Sequence, residues 1–306
     1  MADSEIASEN IRSQDREDLF PPAVLDLPVT VYSPESALRQ PGKMLRDMSR
    51  DLWSSRDLAW RIFLRDTRAQ HRQSLLGYFW ILLPPLVQTA IWVFLNGSGI
   101  LKIADTGIPY PVFVLIGTML WSSFTDALRS PLDISNQSKP ILARVNFPRE
   151  AIILAGMGQV ALNTAMRLLF VAMAIALFRI TLPYTAFLFP IGVLTLWILG
   201  LSIGLLLTPL GLLYSDVGRG IGMVTTLWFY LTPVVYPPPT EFPASLLAKL
   251  NPVRPLLVTT RDWLTTGSTD QLVGFVVVSL GSLVLLFIAW ILYRVSMPHL
   301  IVRMQT

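Results

Sequence analysis

The segment QSLLGYFWILLPPLVQTAIWVFLNGSGIL, residues 73–101, contains no charged side chain and decides the fold class. A helix needs about 20 predominantly apolar residues to cross a bilayer, and residues 77–94 supply most of that length. Pro84 and Pro85 should bend this helix, because each proline lacks the amide hydrogen that would bond to the preceding turn. The segment predicts a transmembrane helix and therefore indicates an integral membrane protein.

Five further stretches of similar length and composition follow in the sequence. Arg167 is the one charged side chain that interrupts them. The composition agrees, because 53% of the 306 residues are hydrophobic and 14% are charged, whereas soluble domains carry roughly 25% charged residues. We therefore expect an all-α protein with six transmembrane helices. The five additional predicted spans are 106–125, 152–178, 186–207, 220–236 and 271–293.

The distribution of Lys and Arg predicts the orientation of these spans, because cytoplasmic connections carry an excess of both. Residues 1–30 lack the apolar core of a secretory signal peptide, so we expect the N-terminus to stay in the cytoplasm. With that orientation, eleven basic residues lie inside: Arg61, Arg65, Arg68, Arg72, Arg129, Lys139, Arg144, Arg149, Arg219, Arg294 and Arg303. Five lie outside: Lys102, Arg179, Lys249, Arg254 and Arg261. Both termini are therefore predicted to be cytoplasmic.

Three regions are predicted along the chain. Residues 1–43 contain several prolines and no long apolar run, which indicates a flexible cytoplasmic extension. In residues 44–76, apolar and arginine side chains alternate in the way expected of an amphipathic helix at the cytoplasmic surface. Residues 77–306 hold the six spans. Between the fifth and sixth spans, residues 240–265 are too apolar for an ordinary loop and too short for two spans, so short re-entrant helices are expected.

The sequence also excludes several kinds of chemistry. Cysteine is absent, which excludes disulfides and thiolate metal sites, and the two histidines are far apart. There is no GxxxxGK[ST] motif, so we expect no ATPase within the chain. An enzyme would need a cluster of carboxylates or histidines, whereas the predicted cytoplasmic connections offer only scattered acidic residues. We predict no catalytic residue, no metal and no cofactor, and we attribute the net charge of +4 to cytoplasmic loops rather than to a nucleic-acid site.

Four sequence blocks resemble a known family when they are taken in order. The first is Arg65-Asp66 followed by QSLLGYFW at 73–80 and PPL at 84–86. The others are RVNFPRE at 144–150, WFYLTPVVYP at 228–237, and Asn251-Pro252 followed by Arg261. Together they resemble the type-2 permease subunits of polysaccharide-exporting ABC transporters, which move O-antigen, capsule or teichoic-acid chains. The resemblance covers roughly residues 50–300, and the chain departs from the family pattern at Gln70 and His71.

The resemblance implies a homodimer in the bacterial inner membrane that binds two copies of a separate ATP-binding subunit. That subunit would bind the ATP, and the substrate would be a glycan on an undecaprenyl-type lipid carrier. An ABC permease for a drug or small lipid is the alternative within the same class. A membrane-embedded enzyme that modifies lipid or glycan, or a structural or receptor protein, is the alternative from another class.

Aromatic side chains are the first candidates for a functional role. An aromatic face can stack on the C–H face of a pyranose ring, so these residues would line a glycan path. The alternative is an aromatic belt that anchors the spans at headgroup depth. The candidates are Tyr78, Trp80, Trp121, Phe124, Trp228, Phe229 and Tyr230.

Arg167 is a further candidate because an arginine inside a span costs at least about 2.5 kcal/mol. We expect no acidic residue within a span to pair with it, since Asp126 is predicted to lie near the cytoplasmic end of the second span. Contact with the carrier pyrophosphate or the glycan is one interpretation. Snorkelling of the side chain to the outer headgroups, or bonding to backbone carbonyls, is the other.

The segment before the third span is the candidate contact with the ATP-binding subunit. Pro148 suits the first turn of a helix and Glu150 suits its positive N-terminal end, so a structural role explains the motif equally well. The predicted coupling residues in this segment are Arg144, Asn146, Phe147, Arg149 and Glu150. Asp216, in the second cytoplasmic connection, is the candidate for a second contact.

Overall fold

The computed structural model describes residues 41–71, 77, 79–139, 149–239 and 241–305. Two compact units are distinguished within the chain, residues 1–44 and residues 45–306. Of the first unit, only the start of a helix at residues 41–44 is described. The division into an extension, an interfacial segment and a six-span domain stays a prediction.

The described residues form α-helices and one short 3-10 helix, with no strand among them, which confirms the predicted all-α class. The α-helices are α1 (Pro41–Ser54), α2 (Arg56–His71), α3 (Phe79–Gly97), α4 (Tyr110–Gln137), α5 (Glu150–Leu177), α6 (Phe189–Leu213), α7 (Ser215–Leu231), α8 (Ala244–Leu250), α9 (Val253–Thr265) and α10 (Leu272–Gln305). The 3-10 helix, Tyr184–Leu188, leads directly into α6.

Five helical segments in the described part of the chain are long and apolar enough to cross a membrane. They correspond to the first, second, third, fourth and sixth predicted spans, and α3 continues through Pro84 and Pro85 to Gly97. The predicted fifth span, 220–236, is only partly helical. Its helix α7 has 17 residues and ends at Leu231, which is short of the roughly 20 residues of a span.

The end of α7 follows from the sequence that comes after it. Pro233 disfavours a helical conformation at the residue before it, and Thr232 has extended backbone angles, with φ −99° and ψ 136°. The backbone therefore leaves the helix five residues before the predicted end of the span.

Helix α4 is the most buried of the five candidate spans. It packs against α3, α5 and α6, and α6 in turn packs against α10. A hydrogen bond from Ser202 Oγ to the carbonyl of Ser282, 3.1 Å long, connects α6 to α10. Helix α4 is therefore the central helix of the described fold, and its buried side chains pack against the helices around it.

Two glycines of α6 allow its backbone to approach α4 closely. A Cβ atom at Gly200 would lie 2.6 Å from the carbonyl oxygen of Phe124, and one at Gly204 would overlap the carbonyl oxygen of Leu128. Small residues have this role in membrane proteins, where helices associate through close van der Waals packing. The contact between α4 and α6 therefore requires glycine at position 204.

We expect Gly204→Ala to lower the free energy of unfolding by about 1–3 kcal/mol, because the added methyl group forces α4 and α6 apart. The measurement is chemical denaturation of the purified protein in detergent micelles. Gly281→Ala, in α10, is the matched control, since nothing lies within 4 Å of a Cβ atom at that position. Equal stability of the two variants would contradict the packing described for α4 and α6.

Candidate functional site

A line of polar side chains runs along one face of α5. Gln159, Asn163 and Arg167 are spaced four residues apart, which places them above one another on a helix. Arg167 Nη1 donates a hydrogen bond to Asp126 Oδ2 of α4 at 2.7 Å, and Asn163 Nδ2 donates to the same oxygen at 3.4 Å. Asp126 is therefore the acceptor on which this line of side chains converges.

The prediction that Arg167 has no acidic partner within a span is wrong. Helix α4 continues through Asp126 to Gln137, twelve residues past the predicted end of the second span at 125. The Asp126 carboxylate therefore lies beside α5 and not in a loop. Because the Arg167 side chain pairs with Asp126 and is only 7% exposed, it does not snorkel to the headgroups.

Hydrogen bonds continue this line to α2. Gln159 Nε2 donates to Asn163 Oδ1 at 3.1 Å, and Thr67 Oγ1 donates to Gln159 Oε1 at 3.0 Å. The network thus joins three helices, from Thr67 on α2 through α5 to Asp126 on α4. In the sequence, this network corresponds to polar residues at four-residue spacing within an apolar span. Of these residues, only Arg167 was predicted to have a role.

A cavity of about 290 Å³ lies against this network, between α2, α4 and α5. That volume is close to the lower end of the range for small-molecule sites in proteins, about 300–1,000 Å³. The aromatic ring of Phe63 forms part of its wall. Its polar side chains include Asp66, Asp126, Arg129, Asp133, Gln159 and Asn163.

The formal charges at this cavity cancel. Three carboxylates and one guanidinium line it, and two of the carboxylates have a guanidinium partner at its edge, Arg65 for Asp66 and Arg167 for Asp126. Three negative and three positive groups leave no formal net charge. Arg129 also turns partly away, since its Nη2 donates to Thr225 Oγ1 of α7 at 3.3 Å.

Five of the seven predicted aromatic candidates form a separate cluster between α4 and α7. The ring of Trp121 lies 5.3 Å from that of Phe124, 6.3 Å from that of Trp228 and 5.8 Å from that of Phe229. Phe124 and Trp228 meet edge to face at 5.5 Å, as Phe229 and Tyr230 do at 5.3 Å. Such pairs stabilise packing beyond the area that they bury, so the cluster fixes α7 to α4.

The exposure of these candidates differs. Trp121, Phe124 and Phe229 are buried, whereas Tyr230 and Trp80 are each 56% exposed. Tyr78 lies outside the described residues. The structure therefore brings five of the eight predicted path residues together, and their role in a glycan path stays a prediction.

The predicted coupling residues are only partly visible, because Arg144, Asn146 and Phe147 lie outside the described residues. Glu150 begins α5, is buried, and accepts a hydrogen bond from Arg294 Nη1 of α10 at 2.8 Å. Arg294 Nη2 also donates to Asp51 Oδ2 of α1 at 2.6 Å. This junction joins α1, α5 and α10, and the sequence offered no pairing signal for Asp51 and Arg294, which lie 243 residues apart.

The other two coupling candidates have different surroundings. Arg149 is half-buried immediately before α5. Asp216 is exposed in the first turn of α7 and accepts a hydrogen bond from Arg219 Nη1 at 3.2 Å. An exposed pair of this kind contributes about 0–1 kcal/mol, so it leaves Asp216 available for another contact.

Two residues of the fourth sequence block connect α8 and α9 to the end of α7. Asn251 Oδ1 accepts a hydrogen bond from Trp228 Nε1 at 3.0 Å, and Asn251 Nδ2 donates to Thr232 Oγ1 at 2.7 Å. Arg261, on α9, is 1% exposed, and its Nη1 donates to the carbonyls of Pro233 and Val234 at 3.2 and 3.0 Å. Both residues thus hold the chain where it leaves α7.

The guanidinium of Arg261 also lies 3.7 Å from the centre of the Phe113 ring on α4. An arginine guanidinium keeps its charge in proteins, and this charge strengthens both hydrogen bonds to the carbonyls.

The chain is similar to three curated proteins that share the name O-antigen export system permease protein RfbA. One, from Myxococcus xanthus, is 26% identical over 216 residues, which cover 68% of this chain and 80% of the relative. Two from Klebsiella pneumoniae are 23% and 24% identical over 220 and 251 residues, covering 70% and 74% of this chain and 82% and 89% of the relatives. No protein-family model matches the chain.

These relatives confirm the predicted resemblance to polysaccharide-export permeases, and they support a membrane permease of an ABC transporter for polysaccharide export. Their shared name describes a transport permease, in agreement with the prediction of a transport subunit rather than an enzyme. The five apolar helices agree with a multi-pass membrane protein.

We expect Arg167→Leu to lower the free energy of unfolding by about 3 kcal/mol, because it leaves the Asp126 carboxylate without its partner inside the protein. A double variant, Arg167→Leu with Asp126→Leu, should recover most of this loss. The measurement is a double-mutant cycle of denaturant unfolding in detergent micelles.

Arg65→Leu is the matched control for this cycle. Its ion pair with Asp66 has a similar distance of 2.8 Å, but the Arg65 side chain is about half exposed, so its removal should cost no more than about 1 kcal/mol. Additive losses from Arg167→Leu and Asp126→Leu would show that the buried pair is not coupled.

Proposed function

We propose that this chain is the permease subunit of an ABC transporter that exports a lipid-linked polysaccharide across the bacterial cytoplasmic membrane. The observation that carries the proposal is the similarity to three O-antigen export permeases over about 70% of the chain. The permease catalyses no covalent chemistry in this proposal. A separate subunit binds and hydrolyses ATP, and movement at the cytoplasmic contacts opens a path for the glycan.

The proposal includes a sixth crossing formed by α7 and the segment that follows it. Residues 232–235 are buried although they are not helical. Irregular backbone at membrane depth is tolerated only where protein or a water-filled cavity satisfies its polar groups. The hydrogen bonds from Arg261 to the carbonyls of Pro233 and Val234 meet this condition. Helices α8 and α9 then form the re-entrant segment on the outer side.

The amphipathic surface helix of the proposal is α1 together with α2. Trp53 and Trp60 are exposed on these helices, and the Arg56 guanidinium lies 4.6 Å from the centre of the Trp53 ring. Exposed tryptophans beside arginines suit the headgroup region, where aromatic rings and basic side chains meet lipid. With α1 and α2 on the cytoplasmic face, the N-terminus lies in the cytoplasm. Six crossings then return the C-terminus to the same side.

Coupling to the ATP-binding subunit is proposed at residues 144–150 and at Asp216. Glu150 begins α5, so a displacement of the preceding segment would act on that helix directly. The Arg294 side chain would pass the displacement to α1 and α10, because it bonds to both Glu150 and Asp51. Two copies of the chain would enclose the glycan path, with Trp80 and Tyr230 offering exposed aromatic surface.

The function is tested by depleting the protein and locating the polymer. We expect lipid-linked polysaccharide to accumulate on the cytoplasmic face, with loss of the same polymer from the cell surface. An ATP-binding subunit should co-purify with the tagged chain. Absence of polymer on both faces would indicate synthesis rather than export, and an unchanged amount at the surface would favour efflux of a drug or small lipid.

Arg294→Gln tests the proposed coupling. The substitution leaves Glu150 buried without a cationic partner, so we expect export of the polymer to fall several-fold while the ATP-binding subunit still co-purifies. Arg56→Gln is the control, because the pair between Arg56 and Asp57 is exposed and its atoms are 3.9 Å apart. Equal export by the two variants would remove the role of this junction in coupling.

A further inference from the structure

The cavity between α2, α4 and α5 has no role in the predicted transport path. It is lined by carboxylates, amides and one aromatic ring, and it lies apart from the aromatic cluster that α4 forms with α7. We propose that this cavity binds a single uncharged sugar unit. The inference rests on the proposed function, because the sugar unit would belong to the glycan that the transporter carries.

The charge of the cavity favours neither an anionic nor a cationic ligand. The carboxylates of Asp66 and Asp126 are already paired, with Arg65 at 2.8 Å and with Arg167 at 2.7 Å. The two remaining charged groups of the lining, Asp133 and Arg129, have opposite signs. A phosphate or an ammonium group therefore gains no net attraction here, whereas a neutral hydroxyl-rich molecule needs none.

Several hydrogen-bonding groups remain available to such a ligand. Within the described part of the chain, no hydrogen bond or ion pair occupies the carboxylate of Asp133, on which the Arg129 guanidinium acts only at longer range. Asp126 uses only its Oδ2 atom for Arg167 and Asn163. The amides of Gln159 and Asn163 each donate one hydrogen bond through a nitrogen that carries two hydrogens. The cavity therefore offers both acceptors and donors.

This combination fits sugar hydroxyls, since each hydroxyl both donates and accepts hydrogen bonds. Carboxylates accept from a hydroxyl, and the free amide hydrogens donate to the next one on the ring. A purely cationic ligand would use the carboxylates but would leave the amide hydrogens without acceptors. The amides thus favour a polyhydroxylated ligand over an amine.

Phe63 supplies the apolar part of the site. Its ring packs against the backbone of α5, where a Cβ atom on Gly158 would lie 3.1 Å from Phe63 Cδ2, and against Trp60 at 5.2 Å between ring centres. These contacts fix its position at the cavity wall. The C–H face of a pyranose can stack on such a ring, and a volume of about 290 Å³ suits one sugar unit rather than a chain.

The absence of cysteine from the chain makes a direct binding test practical. Gln137→Cys places a single thiol at the cavity, and Asn136→Cys places one on the neighbouring exposed residue, which does not line the cavity. The rate at which a methanethiosulfonate reagent labels each thiol is measured on the purified full-length protein in detergent. The probes are the methyl glycosides of glucose, mannose, galactose and rhamnose, together with inorganic pyrophosphate and ethanolamine.

We expect at least one methyl glycoside to slow labelling at position 137 several-fold and to leave labelling at position 136 unchanged. Pyrophosphate and ethanolamine should protect neither thiol. The proposal is overturned if no glycoside protects position 137, if both thiols are protected equally, or if only pyrophosphate or ethanolamine protects.

A second pair of variants tests the residues that hold the sugar. In the Gln137→Cys background, Asp133→Ala and Phe63→Leu should each raise the glycoside concentration needed for half-maximal protection several-fold. Unchanged protection in both variants would overturn the site. The assay needs neither transport nor an ATP-binding partner, so loss of protection with normal export refutes this site alone. A normal surface polymer after depletion refutes the proposed function instead.

Discussion

The structure depends on one constraint, which is that backbone and side-chain polar groups inside a bilayer must find partners within the protein because no water is present there. Helices satisfy their own backbone groups, which accounts for the five apolar helices of the described chain. Where the backbone leaves a helix after Leu231, Arg261 donates hydrogen bonds to two carbonyls that lie beyond the helix and lack its backbone hydrogen bonds. Where a charge enters a helix at position 167, the Asp126 carboxylate meets it at 2.7 Å.

The length and composition of apolar stretches were sufficient to predict five of the helical spans. The bilayer thickness sets the number of apolar residues that a span needs, and this number can be counted in the sequence. Length and composition were not sufficient to predict where the second of these helices ends. The prediction stopped at 125, next to the first charged residue, whereas α4 continues past Asp126 because α5 supplies its partner. That partner lies 41 residues further along the chain. A local pattern does not contain such a pairing.

In the candidate site too, single residues could be predicted from the sequence, whereas their pairing with distant residues could not. Arg167 stood out because a charge inside a span is costly in isolation, but Gln159 and Asn163 did not, since their amides carry no charge. Their spacing of four residues indicates a network only once the structure shows their partners, which are Thr67 for Gln159 and Asp126 for Asn163. The structure brings five of the aromatic candidates together, and several of their faces are covered by one another. Free hydrogen-bonding capacity lies instead at the cavity beside Phe63.

The double ion pair of Arg294 has a consequence for the kind of membrane that suits this protein. Along α10, Arg294 lies 22 residues after Leu272, the first residue of the helix, a distance of about 33 Å at 1.5 Å per residue. The hydrocarbon layer of a bilayer is about 30 Å thick. Because Asp51 and Glu150 hold the Arg294 guanidinium in place, the last helix has little freedom to slide. A thicker or thinner bilayer must therefore deform around the protein, and lipid thickness becomes a variable to which its stability responds.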